Sequence, residues 1–145
     1  MPFKTLTNLY FDNKVQVLPV GAISFFGFLD KLDYIIKTPG LIDIEGKDII
    51  SLIHGAKKIT LVALNGKGSS QISKKLAKLL SAKNTKKAFG ALFYVVGDGD
   101  LKLFDVNEIA ESVYPLLDKK AEVIFGASVD NGLNGLIRLL LLLVE

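Results

Sequence analysis

The chain has 145 residues, half of them hydrophobic, a mean hydropathy of +0.39, a formal net charge of +3 and no cysteine. That length suits one domain with an ordinary core, and the composition excludes a disordered polymer. The lack of cysteine excludes disulfides and thiolate metal sites and fits a cytoplasmic protein, while no apolar run reaches the ~18 residues that a bilayer-spanning helix needs.

Leu6–Phe11 and Lys14–Val20 alternate as strands around Asp12-Asn13, a pair suited to a tight hairpin turn. The apolar stretch Val15–Leu29 faintly imitates a secretory leader, but it runs straight into Asp30 without a small-residue cleavage site and is rejected as one. Ser24 can cap a helix whose apolar positions, Phe25, Phe28, Leu29, Leu32, Ile35 and Ile36, follow helical spacing, and Thr38-Pro39-Gly40 stops it. A short helix over Gly46–His54 follows, with Asp43 and Glu45 at its positive N-terminal end and Gly55 placed to end it.

From there the order is regular. Lys57–Leu64 reads as a strand. Ser70–Ala82 reads as a helix with Ile72, Leu76, Leu79 and Leu80 inward and Lys74, Lys75 and Lys78 outward. Phe89–Val96 is a strand apolar on both faces. A helix starts between Asp105 and Asn107, with Asp105 and Glu108 spaced as a capping-box variant and Ile109, Ala110, Val113 and Leu117 as its buried stripe. Pro115 ends it near Tyr114. Glu122–Val129 and Leu136–Val144 are strands, and Asn131-Gly132 and Asn134-Gly135 punctuate the loop between them. The predicted class is α+β, one domain over 1–145: a hairpin and helix over 1–38, then a core over 39–145.

Charge is unevenly placed. Lys57 to Lys87 holds nine lysines and no acid, whereas the rest of the chain has nine basic and fifteen acidic residues. The chain has 17 lysines and one arginine, Arg138. Arginine reads phosphates and bases bidentately, so its scarcity argues against a dedicated nucleic-acid binder.

Few residues suggest chemistry by themselves. His54 has no histidine or cysteine partner, so it reads as a helix-end residue and no metal site is expected. Gly66-Lys67-Gly68-Ser69-Ser70 looks towards a phosphate loop, but the pattern needs a glycine where Leu61 stands, and a turn into a helix explains it. Gly97-Asp98-Gly99-Asp100 lacks the further oxygen ligands of a calcium loop. The acidic trio Asp43, Glu45 and Asp48 around a helix start is the better candidate, because carboxylates there can orient water towards a phosphate. A solvated helix start is the plainer reading of the same residues.

Three segments together resemble the FtsZ/tubulin family in its C-terminal domain. They are Gly40-Leu41-Ile42-Asp43-Ile44-Glu45-Gly46-Lys47-Asp48, then Gly97-Asp98-Gly99-Asp100-Leu101-Lys102-Leu103-Phe104-Asp105-Val106, then Ile124-Phe125-Gly126-Ala127-Ser128-Val129-Asp130 with Arg138 behind it. The likeness runs over about 29–145. It implies a two-layer sandwich, a mixed four-stranded sheet with two helices on one face. It also implies that the acidic loop enters the nucleotide site of a neighbouring subunit, Glu45 and Asp48 standing for the two catalytic acids in trans and Asp43 for a supporting asparagine. The family's glycine-rich phosphate loop is absent from these residues, so neither a bound cofactor nor an activity of the chain alone is expected.

The expected partner is therefore an FtsZ-like GTPase subunit or a second copy of the chain, with Lys74, Lys75 and Lys78 as a further partner-binding face. Two other functions compete. One is a small-molecule-binding oligomer or enzyme of chorismate-mutase-like fold, which the single Arg138 disfavours. The other is an anionic-surface binder acting through Lys57–Lys87, which a steep salt dependence would reveal.

Overall fold

The computed structural model describes Gly27, Asp30, Lys31, Asp33, Tyr34 and Lys37, residues 44–81 and 88–145, and Gln16–Gly21; of 16–21 and 79–81 it describes the backbone alone. The elements are β1 (Gln16–Gly21), α1 (Gly46–Ile53), β2 (Lys58–Gly66), α2 (Ser69–Ser81), β3 (Ala88–Gly97), α3 (Leu103–Val113), β4 (Leu117–Val129) and β5 (Ile137–Val144). One turn of 3₁₀ helix, Tyr114–Leu116, carries Pro115 between α3 and β4.

The sheet order is β1-β2-β5-β3-β4. The last strand lies in the middle, antiparallel to β2 and β3, whereas β1 is parallel to β2 and β4 to β3. The expected mixed four-stranded sheet is thus β2-β5-β3-β4. Gln16–Gly21 extends it at the β2 edge, and the hairpin partner expected at Leu6–Phe11 lies outside the described residues. Of the helix expected after Ser24, Gly27, Asp30, Lys31, Asp33, Tyr34 and Lys37 are helical.

The connections β2-α2-β3 and β3-α3-β4 both step across the sheet in the same direction. Parallel crossovers share one hand, so α2 and α3 fall on the same face. There Ile72 and Leu76 of α2 and Val106, Ile109, Ala110 and Val113 of α3 pack on Val62, Ala91, Phe93, Val95, Leu139 and Leu141. The opposite face is also covered: Ile44 and α1 residues Ile49, Leu52 and Ile53 pack on Ile59, Leu61, Leu92, Tyr94, Leu140 and Leu142. Burial from both sides is why β3 and β5 are almost continuously apolar rather than alternating.

Element ends follow local chemistry. The α3 helix begins at Leu103, before the expected start, because Asp105 Oδ2 accepts the Lys102 N–H at 3.0 Å. Glu108 is not part of that cap. It accepts from the Ser69 hydroxyl instead, tying α3 to the first residue of α2. His54 is the exposed C-terminal cap of α1, as expected.

Gly97-Asp98-Gly99-Asp100 is a turn that fastens two loops. Asp98 accepts the Asp100 N–H at 3.0 Å through Oδ1 and the Gly135 N–H at 2.6 Å through Oδ2. Asn134 (φ 50°) and Gly135 (φ 85°) both lie in the left-handed region, which asparagine and glycine tolerate best. Substituting Asp98→Ala is expected to lower stability by about 1 kcal/mol, a modest figure because water can reach the exposed Gly135 amide. A shift of the urea midpoint with an unchanged slope checks it.

Candidate functional site

The acidic segment is set by the burial pattern of Ile44-Glu45-Gly46-Lys47-Asp48-Ile49. Ile44 is buried and Ile49 is fully buried. Glu45, at extended φ/ψ before the first helical residue, is therefore turned out to solvent, and Asp48 is half-buried in the first turn of α1. The Asp48 N–H donates to the Glu45 carbonyl at 3.1 Å, which fixes the two residues relative to each other. The positive end of the α1 dipole lies beside both carboxylates. Lys47 Nζ reaches Glu45 Oε2 at 3.2 Å in an exposed pair that solvent screens. Asp43 lies outside the described residues.

Such a loop presents two carboxylates on a rigid stem. Alone it has no means of holding a triphosphate, which two anions repel unless a cation or a partner's basic groups compensate. Among the described residues no group of three or more His, Cys, Asp or Glu is placed to hold a metal ion.

The glycine-lysine segment before α2 is a tight turn. Its Lys67 N–H donates to Gln71 Oε1 at 2.7 Å. A Cβ on Gly66 would lie 3.0 Å from the end of the Ile72 side chain, a tight approach that would make Ile72 shift by a few tenths of an ångström. The adjoining cavity of about 240 Å³ is lined by Asp98, Asp100 and Asp105 as well as Lys67, a poor setting for a phosphate.

Lys74, Lys75 and Lys78 are all exposed on α2, opposite buried Ile72 and Leu76. Lys75 is engaged, donating to the Asn65 carbonyl at 2.6 Å. The side chains of Leu79 and Leu80 lie outside the described residues.

The order β-α-β-α-β-β with its closing strand in mid-sheet, and an acidic helix start packed on the far face, can be compared with known proteins. The FtsZ family, C-terminal domain, matches residues 62–144. The chain belongs to the FtsZ family. Its C-terminal domain is the part represented. The mitochondrial division protein fszA of Dictyostelium discoideum is 32% identical over 139 residues, covering 92% of this chain and 26% of that protein. An FtsZ dimer structure from M. jannaschii superposes with a TM-score of 0.68 at 24% identity, over 81% of this chain and 35% of that one. TubZ protofilaments of Bacillus thuringiensis serovar israelensis superpose with a TM-score of 0.63 at 13% identity, over 80% and 33% of the two chains. These likenesses to solved structures show the fold. The chain spans about a quarter of the fszA relative and about a third of the matched structures.

This FtsZ-family domain also brings together two cations from distant parts of the chain. Lys31 and Arg138 line a cavity of about 500 Å³ with Asp30, Tyr34 and Asp130. Arg138 Nε donates to Asn65 Oδ1 at 3.1 Å. Burial, and then the neighbouring Arg138 charge, hold the Lys31 ammonium below its ordinary pKa. A lysine 107 positions from the arginine gives no local spacing to notice.

The lowered pKa has a stability consequence. The folded state disfavours protonated Lys31, so the penalty is fully present below the lowered folded value and is relieved as pH rises towards the unfolded value of 10.5. The Lys31→Met variant is therefore expected to be more stable than the parent at pH 7, with the gap narrowing towards pH 10.5. Urea midpoints across that range check both the sign and the trend.

No helix among the described residues is long and apolar enough to cross a membrane.

Proposed function

We propose that this FtsZ-family C-terminal domain acts in the assembly of a cytoskeletal or cell-division filament, offering its acidic loop to the GTP site of a neighbouring subunit. The observation that carries the reading is the acidic helix start. Glu45 is exposed and Asp48 half-exposed, on a helix anchored by Ile49, Leu52 and Ile53. A neighbouring subunit can reach both without any rearrangement of the core. Glu45 and Asp48 then place water and cations at the partner's γ-phosphate, and Asp43 supports the loop.

In this reading the chain alone neither binds nor hydrolyses GTP, since its residues include no phosphate-cradling loop. A relative agrees in direction: fszA is a mitochondrial division protein. A domain of this kind engages a neighbouring subunit through the acidic loop and modulates assembly.

A second reading assigns partner binding to Lys74, Lys75 and Lys78, favoured by their common exposure on a helix without an acidic residue. The test is co-sedimentation of the chain with an FtsZ-family GTPase assembled in GTP. Pelleting that needs GTP and survives Lys74→Gln, Lys75→Gln and Lys78→Gln together supports the acidic loop. Pelleting abolished by those changes assigns the contact to α2. No pelleting at any ratio would contradict both.

A further inference from the structure

Charge is divided between the two helices that share one face of the sheet. Residues 57–87 hold nine lysines and no acid, and α2 lies within them. Lys67 before the helix, and Lys74, Lys75 and Lys78 on it, are exposed. The acids of this layer belong to α3: Asp105, Glu108 and Glu111.

The rotation of α2 keeps the two signs apart. Its first residue, Ser69, faces α3, where Asp105 and Glu108 meet the Ser69 hydroxyl. Glu111 accepts from Asn107 of its own helix at 3.3 Å. Ile72 and Leu76 enter the core. Lys74 and Lys78 stand four residues apart and form one stripe, and Gln71 and Lys75 form the next. Both stripes lie on the side of α2 turned away from Ser69, and so away from the acids. Lys75 Nζ donates to the Asn65 carbonyl near the end of β2 at 2.6 Å. That bond sets the basic side over β2, whereas α3 joins β3 to β4 across the sheet.

The residue type indicates what this side meets. Carboxylates or bases in fixed positions are read best by arginine, whose planar fork makes two bonds at once. The chain has 17 lysines and one arginine, and the arginine is not on α2. Lysine is a point charge on a flexible stem. A group of them suits a surface whose own charges can move to meet it, as anionic headgroups do in a fluid bilayer. The rest of the molecule favours one orientation on such a surface. Glu45 and Asp48 belong to the start of α1, which packs on the opposite face of the sheet. A bilayer beside α2 therefore attracts the lysines and leaves the acidic loop on the far side.

We propose that the lysine side of α2 is a peripheral membrane-binding surface that takes anionic phospholipid headgroups, held by charge and without insertion. This goes beyond the filament reading and is independent of it, since neither a GTPase nor GTP takes part.

Flotation of the whole chain with lipid vesicles, in the absence of nucleotide, tests it. The chain is expected to float with vesicles of phosphatidylserine and phosphatidylcholine and to stay behind with phosphatidylcholine alone. Binding should fall as ionic strength rises. Lys74→Gln, Lys75→Gln and Lys78→Gln together should weaken it roughly 10²-fold, at about five-fold for each lysine. Lys47→Gln, Lys119→Gln and Lys120→Gln together remove the same charge from exposed positions elsewhere, and should leave binding within about five-fold of the parent. Circular dichroism melts of both triple variants check that each is folded. No flotation with phosphatidylserine would overturn the proposal. So would equal weakening by the two triple variants, which would make net charge rather than α2 the cause. Preference for double-stranded DNA or polyglutamate over the vesicles, in direct competition, would overturn it as well.

Discussion

Replacing Phe93 by alanine is expected to cost about 3–5 kcal/mol, the largest single loss of stability in this domain. Phe93 sits at the centre of β3, paired with Phe125 of β4 on one side and Leu141 of β5 on the other. Its side chain has no solvent exposure and belongs to the core under α2 and α3. Its ring stacks on Phe125 with centroids 5.5 Å apart and planes 13° from parallel. Truncation removes that stack and leaves a cavity between the sheet and the helices packed on it, into which the laddered strands cannot collapse. Against a total stability of roughly 5–15 kcal/mol, such a loss leaves a marginal fold. Phe125→Ala makes a useful contrast. Phe125 is 43% exposed, so its removal should cost mainly the stacking contribution, about 0.5–1.5 kcal/mol. Equal urea midpoints for the two variants would show that the core is not centred on Phe93.

The reason such a core could be anticipated is visible along the chain. Ile72 and Leu76 on α2, and Ile109, Ala110 and Val113 on α3, recur at helical spacing, and all five are buried where the pattern puts them. Continuous apolar runs at Phe89–Val96 and Leu136–Val144 are what a strand covered on both faces requires. What the pattern did not reveal is which neighbours those strands have. The central position of β5, and the addition of Gln16–Gly21 parallel to β2, depend on contacts between distant segments, which no local periodicity encodes. The start of α3 at Leu103 lies before the Asp105–Asn107 start that the spacing predicts, for a related reason. Glu108 looked like the closing residue of a capping box, but its carboxylate is taken up by the Ser69 hydroxyl, a tertiary contact, and Asp105 makes the cap alone.

The candidate site was legible to a different degree. Glu45 and Asp48 stand out because acids cluster at a helix start behind a proline-glycine stop, and burial of Ile44 and Ile49 then explains their outward placement. Between them Lys47 is drawn to Glu45, and an ammonium there reduces the repulsion that the loop would otherwise exert on a phosphate. The convergence of Lys31 and Arg138 was not legible at all, since it arises only when the helical residues around Lys31 meet the start of β5.

The second large effect concerns the acidic loop. If Glu45 and Asp48 complete a neighbour's nucleotide site, neutralising either removes a group that holds water or a cation in line with the γ-phosphate. General acid–base groups contribute about 10²–10⁴-fold to rate, and a displacement of about 1 Å already costs about 10²-fold. Glu45→Gln and Asp48→Asn keep the shape of the loop and change only its charge. Each is expected to reduce the stimulation of partner turnover by at least about 10²-fold with only a small fall in melting temperature, because neither side chain is in the core and each loses a helix-dipole interaction of about 0.3–1 kcal/mol.

The direct measurement is phosphate release from an assembling FtsZ-family GTPase titrated with the chain, run in parallel with the Glu45→Gln and Asp48→Asn variants. The parent chain is expected to change turnover and to release no phosphate from GTP by itself, and each variant is expected to co-sediment still without changing the rate. If both variants alter turnover as the parent does, the acidic loop does not enter the nucleotide site.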